Sequence, residues 1–448
     1  MTTTTHRQIQ FGVFFQGVNF STIWHWPESG SQTDFESFRR VIQTAERGKF
    51  AAFFLGEGLR LREHLGKIHD LDVVGRHDAM TLEAALAAVT THIGLASTLS
   101  ATYNDPADLA YRLASLNHLS GGRAAWNIVT THNAWTGENF RRGGYLAQDD
   151  RYTHASSFVE AVYKIWDAWA ADDLATSPQA EAWSTGSHTV PHQDGYYDLE
   201  AVKTLPPVPG ARPVAFQAGD SPEGRDFAAR YADVIFSAHP ELNDAVTFSR
   251  DIRQRLVAAG RPEDSLKIFP GQTFIIADTV EAAQEKARHV LESQVTPQTA
   301  IAYLEQFWGR ELSSYDPDGP LPDVDPVVAV TGSTRGSGFQ LAKAQELVDK
   351  WRAIATEKHF SIREFVIHWT SQGMGRGLIG TPITIADQIQ RYADEWAVDG
   401  FNITPWLVPS GLDDIVNELI PELQNRNLYP TDYVGTTLRQ NLGLAPRD

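Results

Sequence analysis

The chain has 448 residues, no cysteine and a formal net charge of −18. The missing thiol excludes disulfides, a thiolate nucleophile and thiolate metal ligation. The acidic balance argues against nucleic acid or an anionic membrane as partner, while a local site for an anion stays open.

The first residues, MTTTTHRQIQF, lack the basic-then-apolar pattern of a signal peptide, and no apolar run approaches about 18 residues, so a cytoplasmic protein is expected. Residues 9–16 read as a first strand, 34–49 as a helix ending near Gly48, and 51–55 as a second, buried strand. Residues 57–78 are charged and irregular. Then come a helix at 81–91, a third strand at 93–99, a helix at 106–119 with Pro106 in its first turn, and a fourth strand at 124–130. Residues 131–150 are polar and Gly-rich, 152–171 predict a strongly amphipathic helix, and 172–210 look like loop. Strands at 214–217 and 234–237 flank a helix at 224–232. A helix at 244–259, a seventh strand at 268–277 and a helix at 280–293 follow. Residues 297–380 look inserted, with coil at 316–325, a Gly/Ser/Thr loop at 331–338 expected to be mobile, and helices at 341–358 and 362–370. A helix at 385–396, a strand at 400–404 and a helix at 412–426 close the count.

Eight strands, each followed by helix, predict an α/β fold of the (β/α)₈ TIM-barrel class: one domain over 1–448, with insertions at about 131–210 and 297–380. A doubly wound open sheet is the alternative, and the count of eight favours the barrel.

In a barrel the site lies at the C-terminal ends of the strands. That selects Gln16, Gly17 and Asn19 on the first strand, Glu57 on the second, Thr98 on the third, Asn127 on the fourth, the turn Gly219–Asp220–Ser221 on the fifth and His239 on the sixth. Phe14, Phe15, Trp24, Trp126, Phe216 and Trp406 are the expected aromatic lining, which suits a flat heterocycle. In the turn, Gly219 lets the backbone approach a ligand and Ser221 stands at a helix N-cap. The opening amides suit an anion such as phosphate, with an ordinary capped turn as the plainer reading. Asp220 opposes an anion there unless its side chain points away. His64, His69 and His77 share a loop with three aspartates, but no HxxxH or HExxH falls on a helix, so no metal site is assigned. His132 and His239 are the acid–base candidates, against a purely structural role for each. Glu57 finds no second acid for paired-carboxylate hydrolysis.

Seven motifs occur in order: AERGKFAAFFLGEGL (45–59), STLSATYNDP (97–106), LSGGRAAWNIVTT (119–131), DDRYTHA (149–155), QAGDSPEGRDFAA (217–229), DGFNITP (399–405) and TTLRQNLGL (436–444). Together they resemble the bacterial luciferase-like flavin monooxygenases, in the branch of the nitrilotriacetate, dibenzothiophene-sulfone and long-chain alkane enzymes. The resemblance implies a TIM barrel that binds reduced FMN (FMNH2) delivered by a separate NAD(P)H:FMN reductase and uses O2 to oxygenate a small organic substrate. It also implies a homodimer or homotetramer. The family's FMN contacts carry over to Glu57 (usually Asp), Thr98, Asn127, Gln148 (usually His) and Tyr152. The phosphate falls to Ser221, with Gly219 and Asp220 beside it. Glu57 is one methylene longer than Asp, and Gln148 can act only as a neutral donor or acceptor. The IFPG run (268–271) and residues 297–325 are similar to members that oxidise S-substituted cysteine derivatives, which implies a thioether or sulfone, with C–S or C–N cleavage or S-oxygenation. The two long insertions read as lids. A deazaflavin F420-dependent oxidoreductase on the same fold and a non-catalytic flavin-binding protein are the alternatives.

Overall fold

The computed structural model describes residues 7–15, 22–60, 63–64, 67–68, 76–131, 134–140, 148–168, 189–202, 205, 207–327, 334–335, 344–373 and 377–447. Eight parallel strands close into a barrel: β1 (Gln10–Phe14), β2 (Ala52–Leu55), β3 (Gly94–Ser100), β4 (Ala124–Val129), β5 (Val214–Gln217), β6 (Val234–Ser237), β7 (Lys267–Gln272) and β8 (Gly400–Ile403). Each strand pairs with its neighbours in chain order, and β8 returns to β1. The (β/α)₈ expectation holds, and the open sheet is excluded by the β1–β8 ladder.

Helices pack outside the strands because their apolar residues recur at helical spacing. In α1 (Phe35–Arg47) Phe38, Val41, Ile42 and Ala45 are buried. α2 (Ala79–Ala87), α3 (Pro106–Leu119) and α4 (Gln148–Trp166) continue the layer. On α4, Phe158 and Trp166 meet Trp126 at 5.9 and 6.3 Å. α5 (Pro222–Tyr231), α6 (Leu242–Ala258), α7 (Val280–Gln294) and α8 (Pro297–Trp308) follow.

Four differences from the expectations have local causes. First, the run 268–277 is not one strand. It leaves the barrel at Thr273, and Phe274–Ile276 pairs instead with Leu378–Gly380. Gly377, at φ +70°, permits this, since a Cβ there would come 2.6 Å from the Thr273 carbonyl oxygen. Second, residues 297–373 hold a helical lobe with its own core, formed by α8, α9 (Ala344–Lys358) and α10 (Ile362–Gly373). Trp351 is its centre, touching Phe307, Trp369 and Phe365 at ring distances of 4.4, 5.1 and 5.3 Å. Third, Thr189–Gln193 and Asp198–Val202 form an antiparallel hairpin where loop was expected. Fourth, the expected helix at 412–426 begins as a short 3₁₀ turn and a π turn at Ile415–Leu419 before α12 (Ile420–Asn425), because Pro421 offers no N–H to the preceding turn. α11 (Pro382–Asp394) lies between the lobe and β8.

Of the Gly/Ser/Thr loop, Thr334–Arg335 lies within the described residues, paired antiparallel with Glu63–His64 from the loop after β2. The second insertion and the loop after β2 therefore meet at that point, and the rest of the Gly/Ser/Thr loop lies outside the described residues. Among the described residues, no helix is long and apolar enough to cross a membrane.

The N-terminal end of the barrel is closed by the C-terminal residues. α13 (Leu438–Asn441) carries a capping box between Thr437 and Gln440. Leu438, Leu442 and Leu444 pack under Ala51, Ala52, Ala96 and Val214. Gly94 makes room: a Cβ there would fall 2.5 Å from Leu438. Arg439, 2% exposed, fastens this plug with two hydrogen bonds to Asp233, at 2.9 and 3.1 Å. Burial pushes the Asp233 carboxyl up, but the Arg439 charge outweighs it and holds the group below the ordinary range. Arg439→Met leaves Asp233 buried without its partner and is expected to cost about 3–5 kcal/mol in urea unfolding. An unchanged midpoint would show that the plug is not fastened there.

Candidate active site

The interior face of the barrel alternates with the face that meets the helices. Phe14, Phe54, Phe216, Phe236 and Phe269 belong to the inner cluster. Successive rings Phe14–Phe54, Phe54–Phe236 and Phe236–Phe216 lie 5.2, 4.7 and 5.3 Å apart, an apolar floor across the barrel. Two residues expected in the lining are on the other face: Phe15 stacks on Phe38 of α1 at 4.0 Å, and Trp126 packs on α4. One step along the strand reverses the direction of the side chain.

Polar groups stand among these rings. Thr98 and Asn127 are paired neighbours on β3 and β4. Asn127 Nδ2 donates to Thr98 Oγ1 at 3.0 Å. Asn127 Oδ1 and Asn402 Oδ1 are buried without a hydrogen-bond partner among the described residues. Such orphaned acceptors are costly unless a ligand or water satisfies them. Beside Asn402, a Cβ added to Gly271 would meet no atom within 4 Å, so this side of the interior has open space. Thr131, at the end of β4, holds φ +27°, a strained conformation for a β-branched residue.

The turn after β5 forms a second group. Ser221 is the N-cap of α5, its Oγ accepting from Gly224 N–H at 3.1 Å. Gly219 and Gly224 face each other, and a Cβ on either would come within 2.9 and 2.8 Å of Tyr152 Oη from α4. Tyr152, Gly219 and Ser221, three positions that the resemblance assigns to FMN, thus lie together. Gln217, whose Oε1 accepts from Gly219 N–H at 2.7 Å, and Gly224 complete the cradle. Sequence reasoning passed over both, although two glycines spanning a strand–helix turn are a readable signal of close approach.

Asp220 also finds its explanation. Its carboxylate accepts from Arg225 Nη2 at 2.9 Å and lies 3.1 Å from His239 Nε2. Arg225 continues to Asp251 at 2.9 Å, and both Arg225 and His239 rest on the Phe248 ring. The negative charge is turned onto a cation. His239 accordingly stands at the turn, in a hydrogen-bonded network. His132 lies outside the described residues, as do Gln16, Gly17 and Asn19. Gln148 is described as the first residue of α4, and its side chain is not.

Glu57 sits just past β2, with Ser100 N–H donating to Oε1 at 3.3 Å. Burial pushes its carboxyl up to about 8, opposed by the Ser100 N–H and Arg112 and reinforced by Asp78. The folded chain therefore holds a proton that the unfolded chain releases from its ordinary value of 4.5 upward. Stability attributable to this group falls as pH rises from 4.5 towards 8 and is constant above that. Glu57→Gln should lose this slope and melt higher than the parent on the alkaline side. Parallel Tm-versus-pH curves would contradict it.

The Gly219–Gly224 cradle fits an anion, and the orphaned amide oxygens with their aromatic floor fit the polar edge and face of a heterocycle, so these residues suit FMN. Comparison with known proteins points the same way. N-acetyl-S-(2-succino)cysteine monooxygenase from Bacillus subtilis (strain 168) is 35% identical over 99% of this chain and 98% of its own. Nitrilotriacetate monooxygenase component A from Aminobacter aminovorans is 34% identical over 98% and 97%. The crystal structure of the riboflavin lyase RcaE, with modified FMN and substrate riboflavin, superposes with TM-score 0.80 at 31% identity, covering 98% of this chain and 97% of that one. The family model described as luciferase-like monooxygenase matches residues 10–399, and the chain belongs to that family.

Proposed function

We propose that this chain is the oxygenating component of a two-component flavin monooxygenase. It takes reduced FMN from a separate NAD(P)H:FMN reductase and uses O2 to oxygenate a small organic molecule, by C–S or C–N bond cleavage or by S-oxygenation. The observation that carries the reading is the pairing of the α5 N-terminus, where Gly219, Ser221, Gly224 and Tyr152 converge, with the unsatisfied amide oxygens of Asn127 and Asn402 over an aromatic floor.

When bound, FMN supplies the oxygen chemistry, so the chain needs no strong nucleophile. Its own residues bind and orient. Ser221, Tyr152 and the opening of α5 hold the phosphate. Thr98 and Asn127 take the polar groups between phosphate and ring. Phe14, Phe54 and Phe236 keep water from the reacting atoms. Arg225 pairs with Asp220 and His239 hydrogen-bonds to it, which draws its carboxylate onto these partners. In this reading His239 acts at the phosphate end, and His132 is the proton-transfer candidate on the β4 side. The open volume at Gly271 receives the substrate, and the relatives' substrates favour a thioether or a polycarboxylated amine. A homodimer or homotetramer acting in the cytoplasm completes the proposal.

The reading is tested by coupling the chain to an NADH-dependent FMN reductase and screening thioethers, aminopolycarboxylates and riboflavin, with mass spectrometry for added oxygen and an assay for hydrogen peroxide. One substrate should gain oxygen and suppress peroxide release. Bound reduced flavin with peroxide release indifferent to every substrate would contradict it. Ser221→Ala should weaken FMN binding about tenfold, roughly 1.4 kcal/mol, while leaving riboflavin binding unchanged. Equal losses for both flavins would remove the phosphate from that turn.

A further inference from the structure

A single carboxylate ties the helix that carries Tyr152 to the hairpin beside it. Tyr152 lies near the start of α4, and further along the same helix His154, Ser157 and Lys164 meet the hairpin of Thr189–Gln193 and Asp198–Val202. His154 Nε2 lies 2.8 Å from Tyr197 Oη, and the Tyr196 ring stands edge-on to His154 at 5.2 Å. Asp194, in the hairpin turn, divides its two oxygens. Oδ1 accepts from the N–H groups of Tyr196 and Tyr197 at 2.8 and 2.9 Å, which shapes the turn. Oδ2 accepts from Ser157 Oγ and lies 3.1 Å from His192 Nε2. Lys164 Nζ stands 3.2 Å from His192 Nδ1. An ammonium can only donate, so Nδ1 accepts and the Nε2–H donates to Asp194. Ser157 and His192 are 6% and 4% exposed, so water does not compete for these bonds. A serine, a histidine and an aspartate meet here, yet not as a nucleophile with its base. Ser157 gives its proton to the carboxylate, and Asp194 occupies the same imidazole nitrogen that would have to take it. The cluster is a fastener between hairpin and helix.

We propose that Asp194 is a positioning residue for the flavin phosphate: it holds the hairpin to α4 and so keeps Tyr152 against the Gly219–Gly224 turn. This rests on the monooxygenase reading above, through the phosphate's place at that turn. Tyr152 has little slack there, since its hydroxyl lies within 2.9 and 2.8 Å of where a Cβ on Gly219 or Gly224 would stand. A hydrogen bond from that hydroxyl weakens steeply once its direction is lost. Further along α4, Phe158 and Trp166 hold the helix to the barrel through Trp126. Nearer Tyr152, His154 and Ser157 hold it to the hairpin instead, and the hairpin runs on towards β5, the strand that ends in the phosphate turn. The hairpin thereby links the two sides of the site, Tyr152 on α4 and Gly219–Ser221 after β5. The Ser157 hydroxyl, against burial and with the Tyr196 and Tyr197 N–H groups and His192, holds the Asp194 carboxyl well below the usual carboxylate range, so the acceptor stays ionised.

The test compares dissociation constants for reduced FMN and reduced riboflavin, measured anaerobically on the full chain, with thermal unfolding as the check on folding. Asp194→Ala and Ser157→Ala should each weaken FMN about tenfold and leave riboflavin unchanged. Ser157→Thr, which keeps the hydroxyl, should bind FMN as the parent does. Tyr152→Phe should weaken FMN by a similar factor. Adding Ser157→Ala to it should cost nothing more, because the fastener acts through the tyrosine. Ser157→Ala leaves the hairpin turn its own bonds to Asp194, so it decides the matter if Asp194→Ala fails to fold. Parent-like FMN binding in Ser157→Ala, equal losses for both flavins, or additive losses with Tyr152→Phe overturn the inference and leave the function standing. Failure of reduced FMN to bind the parent overturns the function itself, and this inference with it.

Discussion

The barrel closes because β8 can lie flush against β1, and Gly400 is the point on which that depends. A Cβ at Gly400 would overlap the Gln10 carbonyl oxygen and come within 2.7 Å of the Phe269 ring. With no side chain there, residues 10–13 and 400–403 run in parallel register. Closure places all eight C-terminal strand ends on one rim, where Glu57, Thr98, Asn127 and the Ser221 turn gather from across more than 150 residues of sequence. Closure also leaves the opposite rim open to water, and the C-terminal residues fill it through Leu438, Leu442 and the Arg439–Asp233 pair. One rim is thereby spent on stability and the other is left for chemistry.

Most of the frame was legible in the sequence because buried parallel strands are short apolar runs bounded by helices with a clear apolar face. All eight strands were found, and α3 matched end to end, its Pro106 marking the start. The same mark stands at three other helix starts. Ser221–Pro222, Thr296–Pro297 and Thr381–Pro382 each open a helix with a capping side chain and a proline in the first turn. α5 and α11 were expected to begin two or three residues late, and α8 was not expected at all. Pro421 had the converse effect, breaking what looked like one helix into a π turn and α12.

The site was legible in its parts and less so in its contacts. Residue type and strand position were enough to select Thr98, Asn127, Gly219 and Ser221, while Tyr152, on α4, is assigned by the resemblance alone. They could not separate Phe14 from Phe15, or Asn127 from Trp126, because adjacent residues on a strand face opposite ways. Nor could they show that Asp220 is answered by Arg225 and His239, since that contact joins a turn, a helix and the next strand. The turn that looked electrostatically wrong for phosphate is made acceptable by partners five and nineteen residues further on. An acidic chain can hold an anionic ligand by such local arrangement, and its overall charge of −18 does not decide the matter.

The central claim is that the β5 turn seats the phosphate and the Phe14–Phe54 floor meets the ring. A crystal structure of the chain with FMN bound tests it most directly. The account predicts phosphate density on Ser221, Gly219 and Tyr152, with the ring over Phe14 and Phe54 beside Glu57. Phosphate density elsewhere on the rim, or a ring lying away from that floor, would contradict it.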